Sequence, residues 1–98
     1  MRMIVFCEYV VLEEYRSVYS SWIQSRSQQG KPFQALENTS QPGVFVEIWH
    51  AEDGEQAAQI EKERREGRSW TEMMLWIKGG EAGLRIWTFR PIGELNVP

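Results

Sequence analysis

The chain carries one cysteine and one histidine in 98 residues. With a single thiol no disulfide can close within the chain, and Cys7, set inside an apolar run, is expected to be an inert small hydrophobe. One Cys and one His also fall short of the four ligands of a structural zinc site, so no metal is expected. Nothing approaches the roughly 20 consecutive apolar residues of a membrane-spanning helix. The apolar start MRMIVFCEYVV is interrupted by Glu8 and lacks a small-residue cleavage site, as a strand would be and a secretion signal would not. These absences predict no membrane contact and a cytoplasmic location. Positive charge is not in excess either: 11 Lys and Arg stand against 14 Asp and Glu, a net −3. Nucleic acid, whose phosphates need a basic face, is therefore not an expected partner. No phosphate loop and no nucleophile–base–acid series is present. GGEAG at 79–83 lacks the strand-before-helix setting of a nucleotide loop and reads as a turn.

What the chain does have is ordinary globular composition, 42% apolar and 26% charged, in a length that suits a single domain over 1–98. Residues 2–10 alternate and read as a first strand. In LEEYRSVYSSWIQSRSQQG, the residues Leu12, Tyr15, Tyr19, Trp22, Ile23 and Arg26 recur at helical spacing. Phe33 to Asn38 is a short second strand, NTSQPG a turn, and GVFVEIWHAED, over 43–53, carries a third strand in seven of its positions. Asp53 is placed to cap a helix over Glu55 to Glu66, whose run EKERREGR reads as a solvated face. After Gly67, Ser69-Trp70-Thr71-Glu72 fits a capping box, with Trp70, Met73, Met74 and Ile77 on one helical face. Gly83 to Arg90 is the last strand. The order β-α-β-β-α-β, its second helix in two pieces, predicts an α+β ferredoxin-like domain. Its sheet has four antiparallel strands, and right-handed crossovers place the first strand between the third and fourth.

Alternation divides the strands into two faces. Met3, Val5 and Cys7 are grouped with Val44, Val46, Ile48 and Leu84, Ile86, Thr88 as the helix-facing set. Ile4, Phe6 and Glu8 are grouped with Phe45, Glu47, Trp49 and Arg85, Trp87, Phe89 on the other face. Five rings at ~150–250 Å² each give that face, even half buried, about 400–600 Å², the upper end of what a monomer leaves uncovered. The expectation is an isologous homodimer through Phe6, Glu8, Phe45, Glu47, Trp49, Arg85, Trp87 and Phe89. Arg85 is expected to neutralise Glu8 or Glu47, of its own chain or of its partner, since buried charges are tolerated mainly in pairs.

The strand-helix order, VFVEIWHAED running into a helix, SWTEMMLWI, and GLRIWTFRP as a last strand together resemble the dimeric α/β-barrel superfamily. That superfamily includes the antibiotic-biosynthesis and heme-degrading monooxygenases, and the resemblance covers nearly the whole chain. It implies a barrel formed across a dimer and a small aromatic or polycyclic ligand held between sheet and helices. Heme-degrading members use an Asn on the first strand and a helical His. This chain has neither, so no heme and no other cofactor is expected. A cofactor-free monooxygenase-like protein is the leading expectation, and a non-catalytic dimerisation or small-molecule-sensing module the alternative. His50, at the end of the third strand, is the candidate general base or phenol-binding group, since imidazole is the side chain most often used for proton transfer; an edge histidine bonded to a loop is the plainer reading. Tyr19, Trp22, Trp70, Met73 and Trp76 are the candidate pocket wall, or simply core.

Overall fold

The computed structural model of the chain describes residues 2–93. The tail reading made for Ile92 onward falls largely on 94–98, outside the described residues. Four strands, β1 (Met3–Val10), β2 (Phe33–Glu37), β3 (Val44–Ala51) and β4 (Arg85–Phe89), form one sheet in the order β2-β3-β1-β4, every neighbouring pair antiparallel. Helices α1 (Arg16–Arg26) and α2 (Gly54–Glu66) complete the expected ferredoxin-like α+β fold, with β1 between β3 and β4 as right-handed crossovers require.

Local sequence explains most boundaries. A short 3-10 turn, Glu13–Tyr15, leads into α1. The Asn38 side chain accepts from the amides of Ser40 and Gln41, and Gly43 at φ +92 completes the turn into β3. The Asp53 carboxylate accepts from the Gln56 amide at 2.8 Å and caps α2, as its position predicts.

The segment after Gly67 departs from expectation. In place of a second helical piece it makes three 3-10 turns, Arg68–Trp70, Glu72–Leu75 and Gly80–Gly83, and the expected Ser69–Glu72 capping box does not form. The reason is the return to the sheet. Ile77 is drawn into a bridge with Val11, the Leu12 amide donates to the Trp76 carbonyl, and the Lys78 amide donates to the Val10 carbonyl. An α-helix through Trp76 and Ile77 would leave those groups at and just beyond the end of β1 unpaired. Gly79, at φ +83, turns the chain, and a Cβ at Gly83 would collide with the Lys78 carbonyl.

The register also corrects the face assignment of β3. Cys7 lies opposite Glu47, Val5 opposite Trp49 and Tyr9 opposite Phe45, and cross-strand partners share a face. Phe45, Glu47 and Trp49 therefore point into the helix-covered core with Val5, Cys7 and Tyr9, and all six are buried. Val44, Val46, Ile48 and His50 lie on the open face with Ile4, Phe6, Glu8 and Val10. One residue of phase exchanges the two sets. Burial favours this phase because the Phe45 and Trp49 rings have more area to remove from water than the Val44 and Ile48 side chains.

Candidate functional site

The core holds an unexpected polar centre. Glu47 and Arg64 are 0% and 1% exposed, and they form a two-pronged ion pair. The Arg64 Nε donates to Glu47 Oε1 at 2.8 Å, and Nη2 donates to Oε2 at 2.7 Å. Trp49 Nε1 donates to Oε1 at 2.9 Å, and the Tyr9 hydroxyl donates to Oε2 at 2.5 Å. Tyr9 has spent its one proton on the carboxylate. The 2.7 Å contact between the Tyr9 and Tyr19 hydroxyls is therefore a bond that Tyr19 donates. Glu47 thus accepts four bonds, the full capacity of a carboxylate, and is an anchor and not a free base.

Arg64 differs. Its Nη2 makes a second contact only to the Met73 thioether, at 3.1 Å, and its Nη1 meets no acceptor. Its guanidinium carbon stands 3.9 Å from the centroid of the Trp70 ring, and that of Arg26 stands 4.6 Å from it.

Aromatic rings wall this centre. Phe33 stacks on Trp49 at 4.2 Å, and both meet Trp70, at 5.7 and 5.8 Å. Trp22 meets Trp70 edge-on at 5.6 Å and Trp76 at 5.5 Å. On the far side Tyr19 packs against Phe45 at 4.5 Å.

The expected pocket residues Trp22, Trp70, Met73 and Trp76 are thus brought into one cluster, with Tyr19 beside Tyr9. Tyr19, Trp70, Met73 and Trp76 are buried there as packed core. A groove of about 230 Å³ between α1 and β2 has Tyr19, Ile23, Ala35 and Phe45 among its walls.

The other expectations are rearranged. His50 is exposed on the open face, opposite Ile4, and not on the helix-covered side where Trp70 and Tyr19 are buried. The one-residue phase of β3 that buries Trp49 turns His50 outward. For the same reason Phe45, Glu47 and Trp49 are not on the face proposed for dimerisation. Among the described residues the one ion pair is Glu47–Arg64. Arg85 lies across the strands from Glu8 without pairing to it, and Glu47 is beyond its face of the sheet.

The run EKERREGR is not wholly solvated either, because Arg64 is its buried member. The signal was present. Arg64 follows Ile60 by four residues and Ala57 by seven, on the apolar stripe of α2, and Tyr9 alternates with Val5 and Cys7.

Burial, with the Glu47 charge adding to it, pushes the Cys7 thiol and the Tyr9 hydroxyl well above their usual ranges. Burial also raises the Tyr19 hydroxyl, and the Glu47 charge adds to it. Burial alone would lower Arg64, but the Glu47 carboxylate more than reverses that and keeps it charged. All three neutral acids are therefore silent at neutral pH.

As pH rises past the ordinary values of 9.0 for the thiol and 10.0 for the phenols, the unfolded chain releases protons that the folded chain retains, and stability falls. The loss should approach about 1.4 kcal/mol per pH unit for each group. Urea unfolding midpoints measured from about pH 8 to about pH 11 should drop along this course, more gently in Tyr9→Phe; a flat profile would contradict the burial of these groups.

No protein-family profile matches the chain, and no curated protein matches it in sequence. Solved structures do match. A candidate antibiotic biosynthesis monooxygenase from Nitrosomonas europaea is similar at TM-score 0.73 and 12% identity, over 94% of this chain and 91% of that one. A candidate antibiotic biosynthesis monooxygenase from Deinococcus radiodurans matches at TM-score 0.64 and 16% identity, over 98% of each chain. A third structure, described as an antibiotic biosynthesis monooxygenase, matches at TM-score 0.58 and 14% identity, over 92% of this chain and 98% of that one. The chain has the ferredoxin-like fold of these monooxygenase-like structures over nearly its full length. No helix among the described residues is long and apolar enough to cross a membrane, and no cluster of three or more His, Cys, Asp or Glu there is placed to hold a metal ion.

Proposed function

We propose that the protein is a cytoplasmic homodimer with a monooxygenase-like or ligand-binding role, acting on an aromatic small molecule taken between sheet and helices. The observation that carries this reading is the Glu47–Arg64 centre walled by Trp49, Trp70 and the two tyrosines. Apolar residues of similar volume often hold a core as well as or better than a buried ion pair, so the pair marks a place with a task besides packing. The groove at Tyr19 supplies an approach, and a flat ring is the ligand shape that aromatic walls favour.

The open face supports the dimer. Phe6 meets Trp87 at 5.9 Å and Phe89 at 6.1 Å, with Trp87 42% and Phe89 52% exposed. Ile4, Leu36, Val46 and Ile48 extend the same patch.

The second reading, a non-catalytic dimerisation or sensing module, is favoured by one feature: every lone pair of Glu47 is already occupied, which leaves no carboxylate base at the centre. Melting temperatures across a panel of flat bicyclic and tricyclic aromatics separate the two. Ligand binding raises the melting temperature with concentration, and a Tyr9→Phe variant should respond less. A folded dimer whose melting temperature is unmoved by the whole panel would support the module.

A further inference from the structure

Arg64 has two donor hydrogens on Nη1 with no acceptor, in a side chain that is 1% exposed. Orphaned buried donors are rare in native proteins, and those on a charged group are the most costly. The remaining Nη2 hydrogen faces only a thioether sulfur, a weak acceptor. One side of the most buried cation in the chain is therefore supplied by nothing stronger than Met73. Met73 itself is held on a single 3-10 turn, Glu72–Leu75, with no side-chain cap, and its neighbour Leu75 is 74% exposed. Short 3-10 turns are weakly cooperative, and methionine is the most adaptable of the apolar side chains.

We propose that Met73 is a plug over a ligand subsite, and that the group which replaces it is a neutral carbonyl oxygen received by Arg64 Nη1 and Nη2. This rests on the aromatic-ligand reading and adds the ligand's polar group, its partner and the part of the protein that yields. Charge decides against an anion. Glu47 and Arg64 already cancel, and Arg26, the other cation on the Trp70 ring, is only half-buried, so a carboxylate or phenolate at Nη1 would bring in a buried negative charge without a buried counterion of its own. A carbonyl oxygen takes up one of the two Nη1 hydrogens and the Nη2 hydrogen that Met73 now faces, and adds no charge. The ring that bears it would find Trp70, already against the guanidinium at 3.9 Å, and the turn carrying Met73 would move outward.

The probes are 9-fluorenone and fluorene, tricyclics of the same outline with and without the carbonyl. Calorimetric titration of the wild-type protein should show fluorenone binding about tenfold more tightly than fluorene, the gain from one hydrogen bond to a charged donor. Met73→Ala, which removes the plug, should tighten fluorenone further and fluorene much less. Met73→Leu keeps the volume but lacks sulfur, and should stay close to wild type. The infrared carbonyl band of bound fluorenone should move to lower frequency, a readout that the wild-type protein supplies even if Met73→Ala does not fold. Equal affinities for the two probes, or a carbonyl band placed as in an apolar solvent, would overturn the subsite while leaving an aromatic-binding protein. A folded protein that binds neither probe, with or without Met73, would overturn this inference and the reading it rests on.

Discussion

Arg64→Ala should cost the fold about 3–5 kcal/mol, a large part of the 5–15 kcal/mol that holds a typical domain together. The cost arises from what stays behind. Glu47, fully buried, would keep its bonds from Tyr9 and Trp49 and lose both from the guanidinium. Trp70 would also lose the cation over its ring, and Met73 its only polar contact. Combining Arg64→Met with Glu47→Leu removes both charges and should recover much of the loss. The remainder would come from the Tyr9 and Trp49 donors left without an acceptor. Denaturant midpoints of the single and double variants give both quantities. An Arg64→Ala protein within about 1 kcal/mol of wild type would mean that the pair is not buried as described.

Trp87→Lys should have the second large effect, on assembly. Trp87 sits in the middle of β4 on the open face, touching Phe6, and a charge there would have to be buried unpaired if two such faces meet. Truncating a central aromatic anchor commonly costs an interface about 2–4 kcal/mol, and a lysine should do at least as much. Sedimentation equilibrium should show the wild type as a dimer and Trp87→Lys as largely monomeric, with the monomer still folded. A wild-type protein that is monomeric at every accessible concentration would remove the open-face argument altogether.

The sequence was readable where local signals were redundant. Strand and helix order, the Asp53 cap and the turn at Asn38–Gly43 each follow from residues within a few positions of one another. The phase of β3 was not readable this way. Both alternating sets, Val44-Val46-Ile48 and Phe45-Glu47-Trp49, are apolar enough to be core, and Glu47 weighs locally against the set that is in fact buried.

What reverses that weight is Arg64, 17 residues further along, in a stretch of charge whose other members are mostly exposed. A long-range ion pair leaves no local pattern, so alternation alone assigns Glu47 to the open face and His50 to the covered one, the reverse of what Arg64 enforces. The 67–84 segment failed for a different reason. Spacing of three residues, as in Trp70 and Met73, satisfies a 3-10 turn as well as an α-helix. The bridge from Ile77 back to Val11 decides between them, and that too is a long-range contact.

Native mass spectrometry of the protein incubated with flat tricyclic aromatics tests the central claim most directly, because it reports subunit number and bound ligand in one spectrum. The expected result is a dimer carrying up to one ligand per chain, with occupancy reduced in Tyr9→Phe. A dimer that stays bare across the whole series, or a monomer, would contradict it.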